Sequence, residues 1–96
     1  MLNNIKIYSD NKSIVYLEGN VNFQNCMYIR EKYKHYTNKK NVTYIDLKNL
    51  QCEDSSIILV IINMIRLSKP KKVKLVNTPN FLTKIINSYK LEKILI

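Results

Sequence analysis

Tyr44-Ile45-Asp46-Leu47-Lys48-Asn49-Leu50-Gln51-Cys52-Glu53-Asp54-Ser55-Ser56-Ile57-Ile58-Leu59 is the stretch that decides the fold. Val42 to Leu47 is a β-branched, apolar run, which reads as a central strand covered on both faces. Lys48 to Ser55 is a polar connection. From Ser56 to Ser68 the composition alone would allow a strand over Ile57 to Ile62. The apolar character nevertheless persists through Met64, Ile65 and Leu67, past the usual strand length, so the segment is a helix. Asp54 or Ser55 offers the N-cap and Ser68-Lys69-Pro70 the stop. A helix so apolar over its first turns must be largely buried.

Working towards the N-terminus, Asn22 can cap a helix that begins at Phe23, with Phe23, Cys26, Met27, Tyr33 and Tyr36 as its apolar stripe. Before it, Ile5 to Tyr8 and Ser13 to Glu18 alternate as half-buried strands around the turn residues Asp10-Asn11-Lys12, which makes a β-hairpin. Gly19 ends the second strand and is the only glycine in the chain, as expected where a positive φ is required. Working towards the C-terminus, Val73 to Val76 is a fourth strand. Thr78-Pro79 then opens a helix with the stripe Phe81, Leu82, Ile85, Ile86 and Tyr89. Leu91, Ile94 and Leu95 form a last short helix or tail. The order is β-β-α-β-α-β-α, in which helical crossovers give parallel, right-handed units. The expected product is a four-stranded mixed sheet with helices packed on it, in one domain over residues 1–96.

Composition narrows the function classes. The 96 residues suffice for one domain, whose usual range is about 50–250 residues. The net charge is +9, carried by lysines apart from Arg30 and Arg66. Arginine is the residue of bidentate phosphate and base contacts, so this charge does not designate a nucleic-acid binder. The chain has no Ala and no Trp and is rich in Ile, Asn, Lys and Tyr, a bias that accounts for the charge. The cluster Lys69, Lys71, Lys72 and Lys74 reads as a solvated edge. With His35 the single histidine, and Cys26 and Cys52 in no CxxC pair, no metal or cofactor site is expected. Neither cysteine has an orienting acid–base partner at a recognisable spacing, and one glycine cannot build a phosphate loop. Asp46 and Asp54 are better read as loop-amide acceptor and helix cap than as paired catalytic carboxylates. The longest apolar run falls far short of the ~20 residues that span a bilayer, and the expectation is a cytoplasmic protein without enzyme activity.

The succession of Ile45-Asp46-Leu47 and Glu53-Asp54-Ser55-Ser56 with an apolar helix resembles the signature of STAS domains. In that family an "IDL"-like strand leads through a short loop to "DS-S/A/G-G" at a helix start. Leu17-Glu18-Gly19-Asn20-Val21, Val76-Asn77-Thr78-Pro79 and Tyr89-Lys90-Leu91 resemble further family segments in the same order. The resemblance implies an α/β, STAS-like (SpoIIAA-like) fold and a protein–protein contact at Asp54, Ser55 and Ser56. Two subfamilies share these features. One is the MlaB-type accessory subunit, which binds and regulates the cytoplasmic ATPase of a phospholipid ABC transporter and meets the inner membrane only through that partner. The other is the anti-sigma-factor antagonist, in which Ser56 would match the phosphorylated serine. Ile57 stands where the family usually carries Gly, which shifts the expectation from a phosphoswitch towards the constitutive subunit. At a helix N-terminus the unpaired N–H groups and the dipole favour an acidic or phosphorylated group, so the location suits either role.

Overall fold

The computed structural model describes residues 5–10, 13–39, 41–69 and 71–88. Strands β1 (Ile5–Ser9) and β2 (Ile14–Val21) form the expected hairpin, with Ile7 opposite Leu17 and Tyr8 opposite Tyr16. Helix α1 (Cys26–Lys39) follows, then β3 (Tyr44–Asp46), β4 (Leu50–Cys52), α2 (Ser56–Ser68), β5 (Lys74–Val76) and α3 (Asn80–Ser88). The sheet runs β1-β2-β3-β5, antiparallel in the hairpin and parallel thereafter. Tyr89, Leu91, Ile94 and Leu95, expected in the last helix and tail, lie outside the described residues.

The expected α/β order is present with one addition. The connection after Leu47 contains β4, which pairs in parallel with the second half of β2, Gly19 against Leu50 and Val21 against Cys52. Strands β3 and β4 thus lie along one neighbour as a single interrupted strand. Leu47 and Leu50 are both buried, and the Leu50 N–H donates to the Leu47 carbonyl across the interruption. Two leucines three positions apart can face one core only if the chain between them turns, because strand side chains alternate. Cys52 therefore sits in a strand and not in a loop. Gly19, at φ 105°, receives β1 on one side and β4 on the other. Only glycine enters that backbone region without strain.

Alternation also decides which face is covered. Ile7, Val15, Leu17 and Ile45 turn to one side, where α1 and α2 pack against each other and close the core. Lys6, Tyr8, Tyr44 and Lys74 occupy the other side and are exposed, so β3 is covered on one face rather than two. On this open face the Tyr8 and Tyr16 rings stack at 5.0 Å. The Tyr8 hydroxyl donates to Glu18 at 2.6 Å and the Tyr16 hydroxyl to Asp10 at 3.1 Å.

Helix α2 supplies the largest share of core side chains, with Ile57, Val60, Ile61, Met64 and Ile65 all buried. At its C-terminal end Ser68 Oγ donates to the Met64 carbonyl and meets the Tyr33 hydroxyl at 2.5 Å, which ties α1 to α2 inside the core. Helix α1 buries Ile29 and Tyr33, flanked by Cys26 and Tyr36. Phe23 and Met27, expected on that stripe, are 57% and 60% exposed. Met27 follows Cys26 by one residue, about 100° further round the helix. It therefore leaves the seam that Cys26, Ile29, Tyr33 and Tyr36 share.

Candidate functional site

Three hydrogen bonds build the junction before α2. Asp54 Oδ1 accepts the Ser56 N–H at 2.9 Å, satisfying one of the donors that a helix start leaves open. Asp54 Oδ2 accepts the Phe23 N–H at 3.3 Å, from the turn that leads into α1. Beside this bond, Asn22 Nδ2 donates to Glu53 Oε2 at 3.0 Å. The same Asn22 caps α1. Its Oδ1 accepts the N–H groups of Gln24 and Asn25, while Asn25 Oδ1 accepts the Asn22 N–H in return. This reciprocal pair has the logic of a capping box with Asn in place of Glu. Asn25 is itself buried and donates to the Asn20 carbonyl. The starts of α1 and α2 are thereby fastened to one another through Glu53 and Asp54.

The two serines face opposite ways. Ser55 occupies the N-cap position of α2, is exposed and makes no side-chain capping bond. Ser56 is fully buried, and its Oγ has no hydrogen-bond partner. The Ser56 hydroxyl lies alongside the Asp54 carboxylate without reaching hydrogen-bond geometry. Its proximity is the largest of the effects that hold the Asp54 carboxyl below its ordinary value of 3.8; desolvation opposes it, and the Ser56 and Phe23 N–H groups add smaller support. Asp54 is thus an ionised acceptor at the positive end of α2, whose first turn contains no acidic residue of its own.

Exposed apolar side chains flank this edge. Helix α1 begins at Cys26 and not at Phe23 as expected, so Phe23 lies in the turn before it and Met27 in its first turn, while Leu59 stands four residues after Ser55 at the start of α2. Leu59 is 51% exposed, whereas the other apolar side chains of α2 are buried or half-buried. These rim residues were not legible as such, because in sequence they merge with the core stripes. The Asn22-x-x-Asn25 spacing was a visible signal for the cap. Ile57 is fully buried and points into the core, so the outer surface at this position is no bulkier than glycine would leave it.

The remaining candidates lie elsewhere. Asp46 terminates β3, accepting the Lys48 N–H through Oδ1 and the Asn77 amide through Oδ2, which is the loop-amide role expected of it. Asn77 takes φ 54° there, a region that Asn tolerates. Cys26 and Cys52 are free thiols. Burial, and secondly the Asp54 charge, push the Cys52 thiol up and away from reactivity. His35 is exposed on α1. Among the described residues no group of three His, Cys, Asp or Glu side chains is placed to hold a metal ion, and no helix is long and apolar enough to cross a membrane.

A family profile for the STAS domain matches residues 4–95, nearly the whole chain. The chain belongs to the STAS domain family. Two solved structures share its fold. One is the Bacillus cell-fate determinant SpoIIAA in its phosphorylated form, with TM-score 0.68 and 16% identity over 96% of this chain and 88% of that one. The other is the anti-sigma factor antagonist SpoIIAA in its unphosphorylated form, with TM-score 0.70 and 17% identity over 91% of this chain and 81% of that one. No curated protein sequence matches significantly. In this STAS domain the hydroxyl exposed at the start of α2 is that of Ser55.

Proposed function

We propose that this STAS domain is a non-catalytic regulatory module of the anti-sigma-factor-antagonist type. It binds a protein partner over the edge formed by Asp54, Ser55 and the rim of Phe23, Met27 and Leu59. Phosphorylation of Ser55 releases that partner. The observation that carries the reading is the opposite orientation of the two serines: Ser55 is exposed at the N-cap, whereas Ser56 is buried. A kinase needs an accessible hydroxyl, so the acceptor is Ser55 and not Ser56, and Ser56 contributes from within. The fold shared with an anti-sigma factor antagonist known in phosphorylated and unphosphorylated forms supports the regulatory reading. A phosphate placed on an apolar docking rim opposes binding through desolvation and charge.

The alternative, an accessory subunit on the ATPase of a phospholipid transporter, drew on Ile57 in place of Gly. With Ile57 buried, that residue no longer separates the two roles. Affinity capture with the tagged chain, followed by binding measurements on the purified partner, tests the proposal. The expected partner is a kinase of the GHKL type that phosphorylates Ser55 from ATP and binds Ser55→Asp at least about tenfold more weakly, a loss of roughly 1.4 kcal/mol. Capture of an ABC ATPase whose affinity is indifferent to Ser55→Asp would overturn it in favour of the transporter subunit.

A further inference from the structure

We propose that the end of the molecule remote from Ser55 is a basic platform that adsorbs to the surface of an anionic phospholipid bilayer, with Lys69, Lys71, Lys72 and Lys74 as its principal charges. The proposal does not depend on which serine is modified, nor on which protein meets the edge at Asp54.

The fold gathers this platform from separate connections. The N-terminal ends of the parallel strands lie together, since the Thr43 N–H donates to the Ser13 carbonyl at 2.9 Å and the Lys74 N–H to the Thr43 carbonyl at 3.0 Å. The last turns of α1 and α2 meet at the same end and flank a cleft of about 170 Å³, with Thr37, Asn38, Val42, Ser68, Lys69 and Lys71 in its wall. Lys39, Arg66, Lys69, Lys71, Lys72 and Lys74 are all exposed here. The acidic groups lie elsewhere. Asp46 closes β3, and Glu53 and Asp54 follow β4, at the far ends of their strands. Glu31 is paired with Arg30. Among the described residues the acid at the basic end is Asp10, which accepts the Ile14 N–H and the Tyr16 hydroxyl. Compositional bias sets the number of lysines in the chain, but not this separation of sign. The carbonyl ends of α1 and α2 attract Lys39, Arg66 and Lys69. Lys72 and Lys74 lie past the last turn, where that attraction has faded.

The chemistry selects a bilayer. A charged membrane surface requires only cations held at one level, which lysine supplies as point charges on flexible stems. Tyr44, 40% exposed and paired in register with Lys74, adds an amphipathic ring of the kind that settles among headgroups. The cleft beside Lys69 and Lys71 has room for the phosphate of one headgroup, with Thr37 and Asn38 as hydrogen-bonding groups. A nucleic-acid strand would instead need a run of free aromatic faces beside the cations. Tyr8 and Tyr16 are stacked on each other, and the Glu18 and Asp10 carboxylates that hold their hydroxyls repel phosphates. The placement also suits a protein with a second surface. Helix α2, at 13 residues, sets Ser55 about 20 Å from Lys69, beyond the roughly 8–10 Å over which a charged surface acts at physiological salt. An adsorbed chain therefore keeps the edge at Ser55 in solution.

Cosedimentation of the full chain with vesicles tests the platform. Binding is expected to vesicles of phosphatidylcholine mixed with phosphatidylserine, to be absent with phosphatidylcholine alone, and to weaken as salt is raised. Each lysine near such a surface contributes about fivefold to partitioning, so the triple variant Lys69→Gln, Lys71→Gln and Lys72→Gln should bind about a hundredfold more weakly. A control triple variant, Lys6→Gln, Lys48→Gln and Lys84→Gln, takes the same number of charges from the net +9 at exposed positions away from the platform, and should lose far less. Equal losses in the two variants would overturn the proposal, since net charge alone would then explain binding. Failure of the parent to bind the phosphatidylserine vesicles would overturn it too. So would single-stranded DNA or RNA bound more tightly than the vesicles at equal salt and lost in the platform variant. Orientation is read on the parent itself by nuclear magnetic resonance, in phosphatidylserine-containing bicelles that carry a spin-labelled lipid. The Lys71 and Lys72 amide signals should broaden far more than that of Ser55, and the reverse pattern would refute adsorption through this end.

Discussion

Asp54 accepts the backbone N–H of Phe23 across 31 positions of sequence, and with its other oxygen the N–H of Ser56. One carboxylate therefore couples the starts of two helices whose core faces are already packed together. The coupling is electrostatic in origin and depends on the carboxylate being ionised.

Asp54→Ala is expected to lower the urea midpoint at neutral pH. The folded-state pKa of Asp54 lies below the ordinary value of 3.8, so its contribution is present above that value and is lost as pH falls through the depressed folded one. Parent and variant should therefore converge in stability once the pH has fallen through that depressed value. Urea titrations from pH 7 into acid check this, and a gap that stays undiminished would show that Asp54 acts by packing.

Ser56→Ala removes a buried hydroxyl that has no hydrogen-bond partner but whose proximity supports the ionised Asp54 carboxylate. The Asp54 carboxyl is therefore expected to rise towards its ordinary value, while relief of the unsatisfied hydroxyl, about 1–3 kcal/mol, offsets the lost support and keeps the net loss at pH 7 below that of a removed helix cap. Carbon-detected titration of Asp54 with denaturant unfolding at pH 7 checks both; an unmoved carboxyl together with a loss of about 0.5–2 kcal/mol would show that Ser56 acts as a cap.

Much of this architecture could be anticipated from the residues, and the misses have physical causes. The bounds of α2 follow from an apolar run too long for a strand, and Pro79 marked the start of α3. Strand β4 was hidden because Leu50-Gln51-Cys52 sits among turn-forming polar residues and draws its pairing from β2, a neighbour about 30 positions earlier. Phe23 and Met27 were assigned to the core stripe of α1 because i, i+3 and i+4 spacings alone cannot say which of two adjacent apolar stripes meets the sheet. The segment Asp54-Ser55-Ser56 was visible as a helix start, but not which hydroxyl faces solvent. That depends on the turn at Ser55, with ψ near 0°, which neither composition nor spacing encodes.

The open sheet face gives an alkaline signature. Donation to Glu18, followed by desolvation and the Glu18 charge, pushes the Tyr8 hydroxyl up to about 12. A raised folded-state value means that the bond stabilises the protein fully below the ordinary 10.0 and is lost as pH rises towards 12. Absorbance titration of the phenolates should show Tyr8 ionising late together with Tyr16, raised first by its bond to Asp10, and Tyr33, raised by burial, and Glu18→Gln should remove one tyrosine from this late group. A late group unchanged by Glu18→Gln would overturn the role given to the Tyr8–Glu18 bond.

Inside the core, the two members of the Tyr33–Ser68 pair should respond unequally. Tyr33→Phe leaves Ser68 Oγ donating to the Met64 carbonyl and should cost about 1 kcal/mol. Ser68→Ala leaves the Tyr33 hydroxyl, held in a buried position, without its acceptor and should cost about 1–3 kcal/mol. Thermal or urea unfolding of both variants gives the ranking, and equal losses would mean that the shared hydrogen bond is not what matters.

The turn from Ser55 to Ile57 separates two kinds of constraint within three consecutive residues. Ser55 answers to whatever meets the surface, while Ile57 answers only to the volume of the interior. A lineage whose codon usage drives it towards isoleucine can therefore rebuild the inside of this helix, exchanging even a glycine at its start, without disturbing its exposed face. The same separation lets a protein engineer tune the rigidity of the site from behind, through Ile57 and Ile61, while its chemical identity stays fixed at Ser55.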